Sequence, residues 1–410
     1  MRVAVVHDWL YVLGGAEKVL RSILRCFPGS DLFCLFDVLS DAHRRYIGYE
    51  ASHTSFLQRM PRIGRNHRLY LPLMPLAIEQ LDVSRYDLVI SSSSAVAKGV
   101  ITGPDQLHVS YVHSPMRYAW DLQHQYLRET GLHKGVASWI ARTLLHRMRM
   151  WDVRTANGVD DYIANSHFVA RRVKKIYGRN ATVLYPPVSV PAQLPERRSG
   201  VRYFLTGSRL VPYKNVGAVI DAFALLPDER LVVVGDGPEM ARLRQGAGDN
   251  ITFTSFIPDE ELHRLMEGAE AFVFAAEEDF GIVLVEAQGF GTPVLALERG
   301  GARETIVTGG PHPTGMFFAK PEPAEIADAV RRFLRLRDRF DPADCHRNAL
   351  RFSQARFEES LRGYICDRYA RFMEEIRSGS TQHVVGVPAL SPLIKSKEAW
   401  DDAREQRASA

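Results

Sequence analysis

Short apolar runs alternate with longer helical stretches along this 410-residue sequence, and the whole pattern occurs twice. Runs of this length are typical of buried strands, and helices between them are typical of parallel sheets. The strand-like runs of the first half are Arg2–Val6, Leu32–Leu35, Leu88–Ser91, His108–Val112 and Asp161–Ala164. Those of the second half are Val201–Thr206, Arg230–Val234, Ile251–Thr254, Ala271–Ala275 and Pro293–Ala296. The alternation predicts the α/β class, with two doubly wound domains.

A turn-rich segment without periodicity, residues 185–200, separates the two halves. Its Pro, Ser and Gly residues are typical of an interdomain linker. We therefore expect an N-terminal domain over residues 1–190 and a C-terminal domain over residues 198–361. Residues 355–377 have the apolar spacing of a long amphipathic helix. Residues 378–410 lack clear periodicity, so we expect them to form a loose tail.

The composition argues against a secreted protein, a membrane-spanning protein and a zinc protein. Only four apolar residues, Val3 to Val6, precede His7, which is too few for a signal peptide. No stretch approaches the roughly 20 apolar residues that span a bilayer. The four cysteines contain no C-x-x-C pair, which is typical of buried thiols in a reducing compartment. We expect a cytoplasmic protein.

The charge is uneven between the two halves. Residues 1–190 contain 24 Lys and Arg against 15 Asp and Glu, and the remainder contains 28 against 33. A basic half indicates an anionic partner, such as a membrane surface or a phosphate-bearing acceptor, although simple solubility explains it equally well. Residues 134–155 form a basic amphipathic segment that either lies on a membrane surface or packs on the sheet with solvated arginines. Peripheral contact with the inner face of an anionic membrane is therefore one expectation.

Three common nucleotide-binding motifs are missing. The sequence has no P-loop, and Gly235-Asp236-Gly237 follows a predicted strand but is not completed by a glycine, since residue 240 is Met. It also has no D-x-D triplet, the usual carboxylate pair that holds a metal-bound sugar nucleotide. A P-loop enzyme and a dinucleotide dehydrogenase are therefore disfavoured, and we expect no metal and no cofactor.

Residues 278–286, Glu-Asp-Phe-Gly-Ile-Val-Leu-Val-Glu, form the strongest candidate site. They follow a predicted strand, and open α/β sheets bind ligands at that end. A helix starting near Gly281 or Ile282 would place Glu286 about two turns in, and Glu278 on the preceding loop. Both carboxylates can then face one cleft and accept hydrogen bonds from sugar hydroxyls. The helix N-terminus between them is suited to phosphate.

Three further segments carry candidate residues after predicted strands. Arg209 and Lys214 lie on the loop after the first strand of the second half, where two cations can neutralise a diphosphate. Gly14 and Gly15 follow the first strand of the chain and open a helix, which allows backbone amides close to a phosphate or sugar. His113 ends a strand close to Arg117 and several aromatic residues, so its side chain can reach an interdomain cleft.

Together these segments resemble the retaining glycosyltransferases of family 4, which have the GT-B fold: two Rossmann-like domains that face each other across a cleft. Glu278 and Glu286, with seven residues between, are similar to the E-x7-E motif of that family. Ser208-Arg209-Leu210 with Lys214 resembles its diphosphate loop. Other matches are Gly235-Asp236-Gly237-Pro238, Gly14-Gly15-Ala16-Glu17 and Gly291-Thr292-Pro293-Val294. The resemblance covers roughly residues 1–375.

The resemblance implies a role for each matching residue. Glu278 would contact the hydroxyls of the donor sugar, and Glu286 would hold the ribose hydroxyls. Arg209 and Lys214 would bind the diphosphate and stabilise the departing charge. In such enzymes the leaving phosphate is thought to accept the proton of the acceptor on the same face, so that no dedicated protein base is required.

The remaining implied roles concern the base, the sugar and the domain connection. The backbone around Phe256 and Ile257 would meet the base. His113 would lie near the sugar, where it would either form a hydrogen bond with a hydroxyl or help to stabilise the transition state. The helical residues 362–377 would cross back to the first domain. Further residues expected to bind substrate are Gly14, Gly15, Arg117, Gly235, Asp279, Phe280, Gly281 and Ile282.

The motif block around His113 and Glu278 looks most similar to bacterial mannosyltransferases that build O-antigen or exopolysaccharide. This favours transfer of mannose from GDP-mannose to a glycan or polyprenyl-linked glycan acceptor, in the synthesis of surface polysaccharide such as lipopolysaccharide. Gly289-Phe290 and Ala302-Arg303 depart from the family pattern and leave the donor and the acceptor open, UDP-linked donors included. Two alternatives are a sugar-nucleotide 2-epimerase of the same fold and a non-catalytic nucleotide- or carbohydrate-binding protein. No nucleic-acid partner is expected.

Overall fold

Thirteen strands form two parallel sheets in the computed structural model, which describes residues 1–196, 200, 202–255 and 257–382. The first sheet has the order β3-β2-β1-β4-β5-β6-β7 and contains β1 (Val3–His7), β2 (Asp31–Cys34), β3 (His53–Thr54), β4 (Leu88–Ser93), β5 (Leu107–Val112), β6 (Asp161–Ala164) and β7 (Ala181–Val183). Its central strands are buried on both faces, as expected for a sheet covered by helices.

The second sheet has the order β10-β9-β8-β11-β12-β13. It contains β8 (Phe204–Gly207), β9 (Leu231–Val234), β10 (Ile251–Thr254), β11 (Phe272–Phe274), β12 (Val294–Leu297) and β13 (Gly315–Phe318). Both sheets thus have the strand order of a Rossmann domain, in which the direction of winding reverses beside the first strand. The reversal lies between β1 and β4 in the N-terminal domain and between β8 and β11 in the C-terminal domain.

Helices cover both sheets, and several begin and end at residues suited to these positions. Ser40 and Ser166 accept a hydrogen bond from a first-turn amide, while Gly48 and Gly178 end their helices in the left-handed conformation. The helices are α1 (Gly15–Cys26), α2 (Asp41–Ile47), α3 (Ile63–Asn66), α4 (Met74–Glu79), α5 (Gln123–Glu129), α6 (Gly135–Thr155), α7 (His167–Tyr177), α8 (Val216–Ala224), α9 (Met240–Gln245), α10 (Asp259–Gly268), α11 (Ile282–Gly289), α12 (Ala302–Thr305), α13 (Pro323–Leu336), α14 (Pro342–Ala349) and α15 (Gln354–Gln382).

Each of the ten predicted strand-like runs overlaps a strand, and the prediction of two doubly wound α/β domains is confirmed. Three strands were missed. The edge strands β3 and β7 have only two and three residues and carry no apolar run, while β13 begins at a glycine. Short edge strands leave little hydrophobic pattern in a sequence, because only one side pairs with the sheet.

Helix α6 is the basic segment for which the sequence allowed two interpretations, and its two halves differ in how they pack. Its C-terminal half packs on the domain through Asp152, whose fully buried carboxylate pairs with the Lys98 ammonium at 2.7 Å. Its N-terminal half exposes Val136, Trp139 and Ile140 to solvent. The packed interpretation therefore describes one half of the helix, and the other half presents an apolar surface.

The last helix, α15, starts next to the first domain. The Phe357 ring lies edge-on to Tyr111 of β5, and the Glu358 carboxylate pairs with Arg25 of α1 at 3.3 Å. The chain thus contacts the N-terminal domain before residue 362, where the crossing helix was predicted to begin.

The chain divides into two units, residues 1–365 and residues from 366 onward. In the second unit the helix continues to residue 382, so its last five residues lie in the segment for which a loose tail is predicted. A formed helix adds residues one hydrogen bond at a time and needs no further apolar pattern. The rest of the predicted tail, from residue 383, lies outside the described residues. Within those described, no helix is long and apolar enough to cross a membrane.

Candidate active site

The reversal points of the two sheets face one cavity of about 510 Å³. The N-terminal domain supplies Gly15 at the start of α1, and His113 at the end of β5. The C-terminal domain supplies Glu278 on the loop after β11, and Ile282 at the start of α11. Residues from both halves of the chain therefore meet where doubly wound folds bind ligands.

Glu278 and Lys214 form an ion pair on the C-terminal side of this cavity. Glu278 lines the cavity, and both side chains are mostly shielded from solvent. The neighbouring Asn215 donates a hydrogen bond to the Ala275 carbonyl at 3.0 Å, which ties the loop after β8 to the end of β11. The two loops predicted from separate motifs thus form one site, with a cation and a carboxylate side by side.

Glu286 is the fifth residue of α11, nearer the start of the helix than the predicted two turns. Its buried carboxylate accepts from the Lys18 ammonium of α1 at 3.1 Å, and Lys18 also pairs with Asp259 at 3.3 Å. Burial alone would lower the pKa of Lys18, but the two carboxylates raise it overall. Lys18 is therefore a charged link between the two domains.

His113 is linked to a buried histidine and carboxylate. Its Nε2 lies 2.8 Å from the Ser92 hydroxyl oxygen, which lies 3.0 Å from Nδ1 of His7. Nε2 of His7 lies 3.6 Å from the Glu17 carboxylate. An ionised Glu17 favours a proton on Nε2 of His7, so that Ser92 donates to His7 and accepts from His113. This arrangement leaves a lone pair on Nδ1 of His113.

Two effects keep His113 neutral. Burial, with a smaller contribution from the neighbouring His7, lowers the pKa of its imidazole to about 3. Among the residues that the structure describes, Nδ1 of His113 has no hydrogen-bond partner. A neutral ring with a free lone pair suits a role as hydrogen-bond acceptor for a hydroxyl at the cavity wall.

Asp279 joins the two domains beside the cavity. Its carboxylate pairs with the Arg172 guanidinium at 2.6 Å and with the Arg117 guanidinium at 3.4 Å. Its backbone carbonyl accepts from the Ser166 hydroxyl at 2.6 Å. Burial raises the pKa of Asp279, while both arginines act in the opposite direction. The predicted substrate residues Arg117 and Asp279 therefore bind each other across the domain boundary.

The start of α1 and the start of α11 approach closely. A side-chain carbon on Gly15 would lie 3.0 Å from Cδ1 of Ile282, so the absence of a side chain permits this approach. The Leu284 amide of α11 donates to the Gly281 carbonyl at 3.0 Å, whereas the amides of Ile282 and Val283, two residues that line the cavity, have no carbonyl partner among the described residues. Phe280 also lines the cavity and packs on Tyr185 and Phe352 below it.

Other predicted residues lie outside the cavity wall. Arg209 is exposed, and Ile257 is partly buried in the C-terminal core. The Gly14 amide donates to the Glu17 carboxylate at 2.9 Å. Gly235 supports the loop after β8, because a side-chain carbon there would lie 1.9 Å from the Ser208 carbonyl oxygen. Phe256 lies outside the described residues.

Sequence reasoning missed several polar residues at this site. Lys18, Arg172 and Ser166 each bind a residue of the opposite domain, as does Glu304, which accepts from the first two amides of α7 at 2.8 Å. The local signals were the charges of Lys18, Arg172 and Glu304 and the hydroxyl of Ser166, and none of these identifies a partner more than 100 residues away. In the part of the chain that the structure describes, no group of three or more His, Cys, Asp or Glu side chains is placed to hold a metal ion.

Curated proteins that are similar to parts of this chain include two mannosyltransferases. The GDP-mannose-dependent alpha-(1-6)-phosphatidylinositol monomannoside mannosyltransferase of Mycobacterium tuberculosis is 30% identical over 233 residues, which are 49% of this chain and 57% of that protein. A GDP-mannose-dependent alpha-mannosyltransferase of the same species is 36% identical over 134 residues, 32% of this chain and 34% of the relative. The chain thus spans between about one third and just over half of the length of these curated relatives.

Solved structures share the architecture. HepE of Anabaena in complex with UDP has a TM-score of 0.64 at 19% identity, over 90% of this chain and 100% of that one. Sucrose-phosphate synthase of Thermosynechococcus elongatus has a TM-score of 0.66 at 16% identity, with the same coverage. At these identities the likeness concerns the fold. Residues 13–190 match the family model described as Glycosyltransferase Family 4, and residues 194–351 match the model described as Glycosyl transferases group 1. The chain belongs to the family 4 type of glycosyltransferases and has their GT-B fold.

Proposed function

We propose that the protein transfers mannose from GDP-mannose to a glycan or lipid-linked glycan acceptor, with retention of configuration, in the synthesis of surface polysaccharide. The observation that carries this proposal is the meeting of Glu278, Lys214 and His113 with the start of α11 around one interdomain cavity. Two relatives named as GDP-mannose-dependent mannosyltransferases support the choice of donor.

The ion pair between Glu278 and Lys214 lies at the boundary between the donor sugar and its diphosphate. The hydroxyls of the sugar donate hydrogen bonds to Glu278, and the phosphate oxygens pair with the Lys214 ammonium. The first-turn amides of α11 and its positive dipole end face the same phosphates. Glu286 accepts hydrogen bonds from the ribose hydroxyls. The exposed Arg209 reaches the diphosphate from outside the cavity wall.

In the transfer step the bond from the anomeric carbon to the diphosphate oxygen breaks, and the acceptor oxygen bonds to that carbon on the same face. The acceptor proton passes to the leaving diphosphate oxygen. Lys214 and the α11 amides stabilise the charge that develops on the diphosphate. Neutral His113 accepts a hydrogen bond from a sugar hydroxyl through Nδ1 and orients the ring. The step needs no protein base and no metal ion.

The N-terminal domain presents a surface suited to an anionic membrane. Val136, Trp139 and Ile140 are exposed on α6 within a half that carries the excess of basic residues. Flotation with anionic vesicles at low salt tests this contact. Protein that floats at low salt and is released at high salt supports a peripheral position, and protein that stays in the soluble fraction contradicts it.

Thermal-shift titration with GDP, UDP, ADP, GDP-mannose and UDP-glucose, each with EDTA, tests the donor site. A ligand at 100 times its Kd adds about 2.7 kcal/mol of stability. We expect stabilisation by the GDP compounds, which Glu286→Ala removes and which Glu298→Ala, an exposed carboxylate after β12, retains. Stabilisation by none of the nucleotides would contradict the proposal.

Product analysis separates transfer from isomerisation. GDP-mannose incubated with the enzyme and an acceptor should give an α-linked mannoside, and Glu278→Gln should abolish it while the neighbouring Glu277→Gln does not. Conversion of the donor sugar to its 2-epimer without acceptor would indicate the epimerase instead.

A further inference from the structure

A second cavity, of about 460 Å³, lies in the N-terminal domain and adjoins the interdomain cavity. Three aromatic residues, Trp9, Tyr118 and Tyr126, line both cavities. The other walls are mostly aliphatic and come from residues 67–74 and from helix α6 with the segment before it. A molecule bound here would therefore touch the candidate active site at one end and hydrocarbon side chains along the rest of its length.

Two polar atoms on the cavity walls are buried without a partner. Among the described residues, neither the Tyr118 hydroxyl nor Nδ1 of His67 makes a hydrogen bond. The His67 ring is held between Tyr11 and Trp9, with centroid distances of 4.6 and 5.7 Å, so it cannot turn freely to find a partner. Buried polar groups are normally hydrogen-bonded. Two buried polar atoms without a partner on the walls of one cavity therefore indicate a ligand with polar atoms near the shared aromatic wall.

The outer part of the cavity is apolar and basic. Leu69 and Leu132 line the cavity and are exposed, and Arg68 lies beside them without a carboxylate partner among the described residues. Val136 and Trp139 on the first turns of α6 are also exposed, with 76% and 70% of their surface accessible, but they do not line the cavity. At the cavity mouth, the two exposed leucines beside a cation suit a lipid chain and its phosphate.

We propose that this cavity binds the hydrocarbon chain of a phosphate-linked lipid acceptor, whose glycan head reaches His113 and Glu278 past the shared aromatic wall. Arg68 pairs with the phosphate, while Tyr118 and His67 bind polar atoms where the chain joins the head. This assignment rests on the proposed function and adds the site of the acceptor chain. A free oligosaccharide fits these walls poorly, because few polar groups face its many hydroxyls.

Farnesyl phosphate, used below its micellar concentration, tests the cavity by isothermal titration, with dodecyl phosphate as a straight-chain probe and inorganic phosphate as the head alone. Ala141 lines the cavity, and Ala137, one turn earlier on α6, is exposed and does not. We expect Ala141→Trp to weaken binding of the chain-bearing probes at least tenfold, and the matched Ala137→Trp to leave it within twofold of wild type.

Inorganic phosphate should bind at least tenfold more weakly than either chain. Equal binding by Ala141→Trp and Ala137→Trp, or no binding of either chain to the wild type, would overturn the assignment. Thermal shift by GDP, measured on the same samples, shows that both variants are folded. It also separates the two hypotheses. Wild-type protein that binds GDP but neither chain would contradict the acceptor site alone, and protein that binds the chains but not GDP would contradict the proposed function alone.

Discussion

Lys18 of the N-terminal domain pairs with Glu286 of the C-terminal domain, with 3.1 Å between Nζ and Oε1. Glu286 is the carboxylate proposed to hold the ribose hydroxyls, so the ammonium and the nucleotide compete for the same oxygens. This contact between the two domains is therefore coupled to donor binding, which leads to a test.

We expect Lys18→Ala to bind GDP about fivefold more tightly than the wild type, because a partly shielded ion pair of roughly 1 kcal/mol no longer competes. The same change should lower the melting temperature of the free protein, since the buried Glu286 loses its cation. Isothermal titration and thermal melts measure both effects.

Arg25→Ala is the matched control, because Arg25 lies on the same helix and pairs with Glu358 away from the cavity. It should leave GDP affinity unchanged. Weaker GDP binding by Lys18→Ala would show that Lys18 contributes to the nucleotide site instead of competing with it.

Removing the Asp279 carboxylate should destabilise the protein strongly. Asp279→Ala leaves two arginines of the opposite domain, Arg172 and Arg117, without the carboxylate that they share. Breaking a buried ion pair from one side costs about 3 kcal/mol, which urea denaturation measures directly. Asp338→Ala, at a fully exposed carboxylate, serves as control. A similar unfolding free energy for both variants would show that the interdomain ion pairs contribute little.

The residues that sequence reasoning located share one property: each follows a strand. Glu278, Lys214 and His113 lie on loops whose place at the sheet edge is set by the parallel fold, so a pattern of strands sufficed to bring them together. Lys18 and Arg172 instead lie inside helices, and their partners belong to the other domain. Which helix face meets which loop depends on how the two domains pack, and no local pattern encodes that.

The neutral state of His113 makes stability depend on pH. Burial lowers its pKa to about 3, whereas in the unfolded chain a histidine titrates near 6.5. Between these values the unfolded chain binds more protons, so the unfolding free energy falls as the pH is lowered, by up to about 1.4 kcal/mol per pH unit for this residue. Buried His108, with its pKa lowered to about 4, acts in the same direction.

Urea denaturation at pH 7, 6, 5 and 4 measures this slope. His113→Gln keeps a hydrogen-bond donor for Ser92 but cannot titrate. The slope of the unfolding free energy should therefore decrease by up to about 1.4 kcal/mol per pH unit, which corresponds to one proton. His43→Gln, at an exposed histidine of α2, should retain the slope of the wild type. Identical slopes for wild type and His113→Gln would mean that His113 is protonated equally in both states.

The reversal points of the two sheets differ, because the side chain of Asp8 occupies the one in the N-terminal domain. Its buried carboxylate accepts hydrogen bonds of 2.5–3.0 Å from four backbone amides of the loop after β4. These amides belong to Ser94, Ala95, Val96 and Ala97. The protein thus fills this anion site with its own side chain, while the start of α11 in the second domain remains directed at the cavity. The four amides of this loop are therefore not free to bind the phosphates of a donor, whereas the start of α11 is.

Asp8→Asn should therefore cost about 3 kcal/mol of unfolding free energy, because the amide group faces two backbone donors and the charge is lost. Ser94 and Ala95 line the interdomain cavity, so the loosened loop should also raise the KM for the acceptor more than that for the donor. Urea denaturation and steady-state kinetics measure the two effects, with Asp82→Asn in an exposed turn as control. An unchanged unfolding midpoint would show that the loop holds its conformation without the carboxylate.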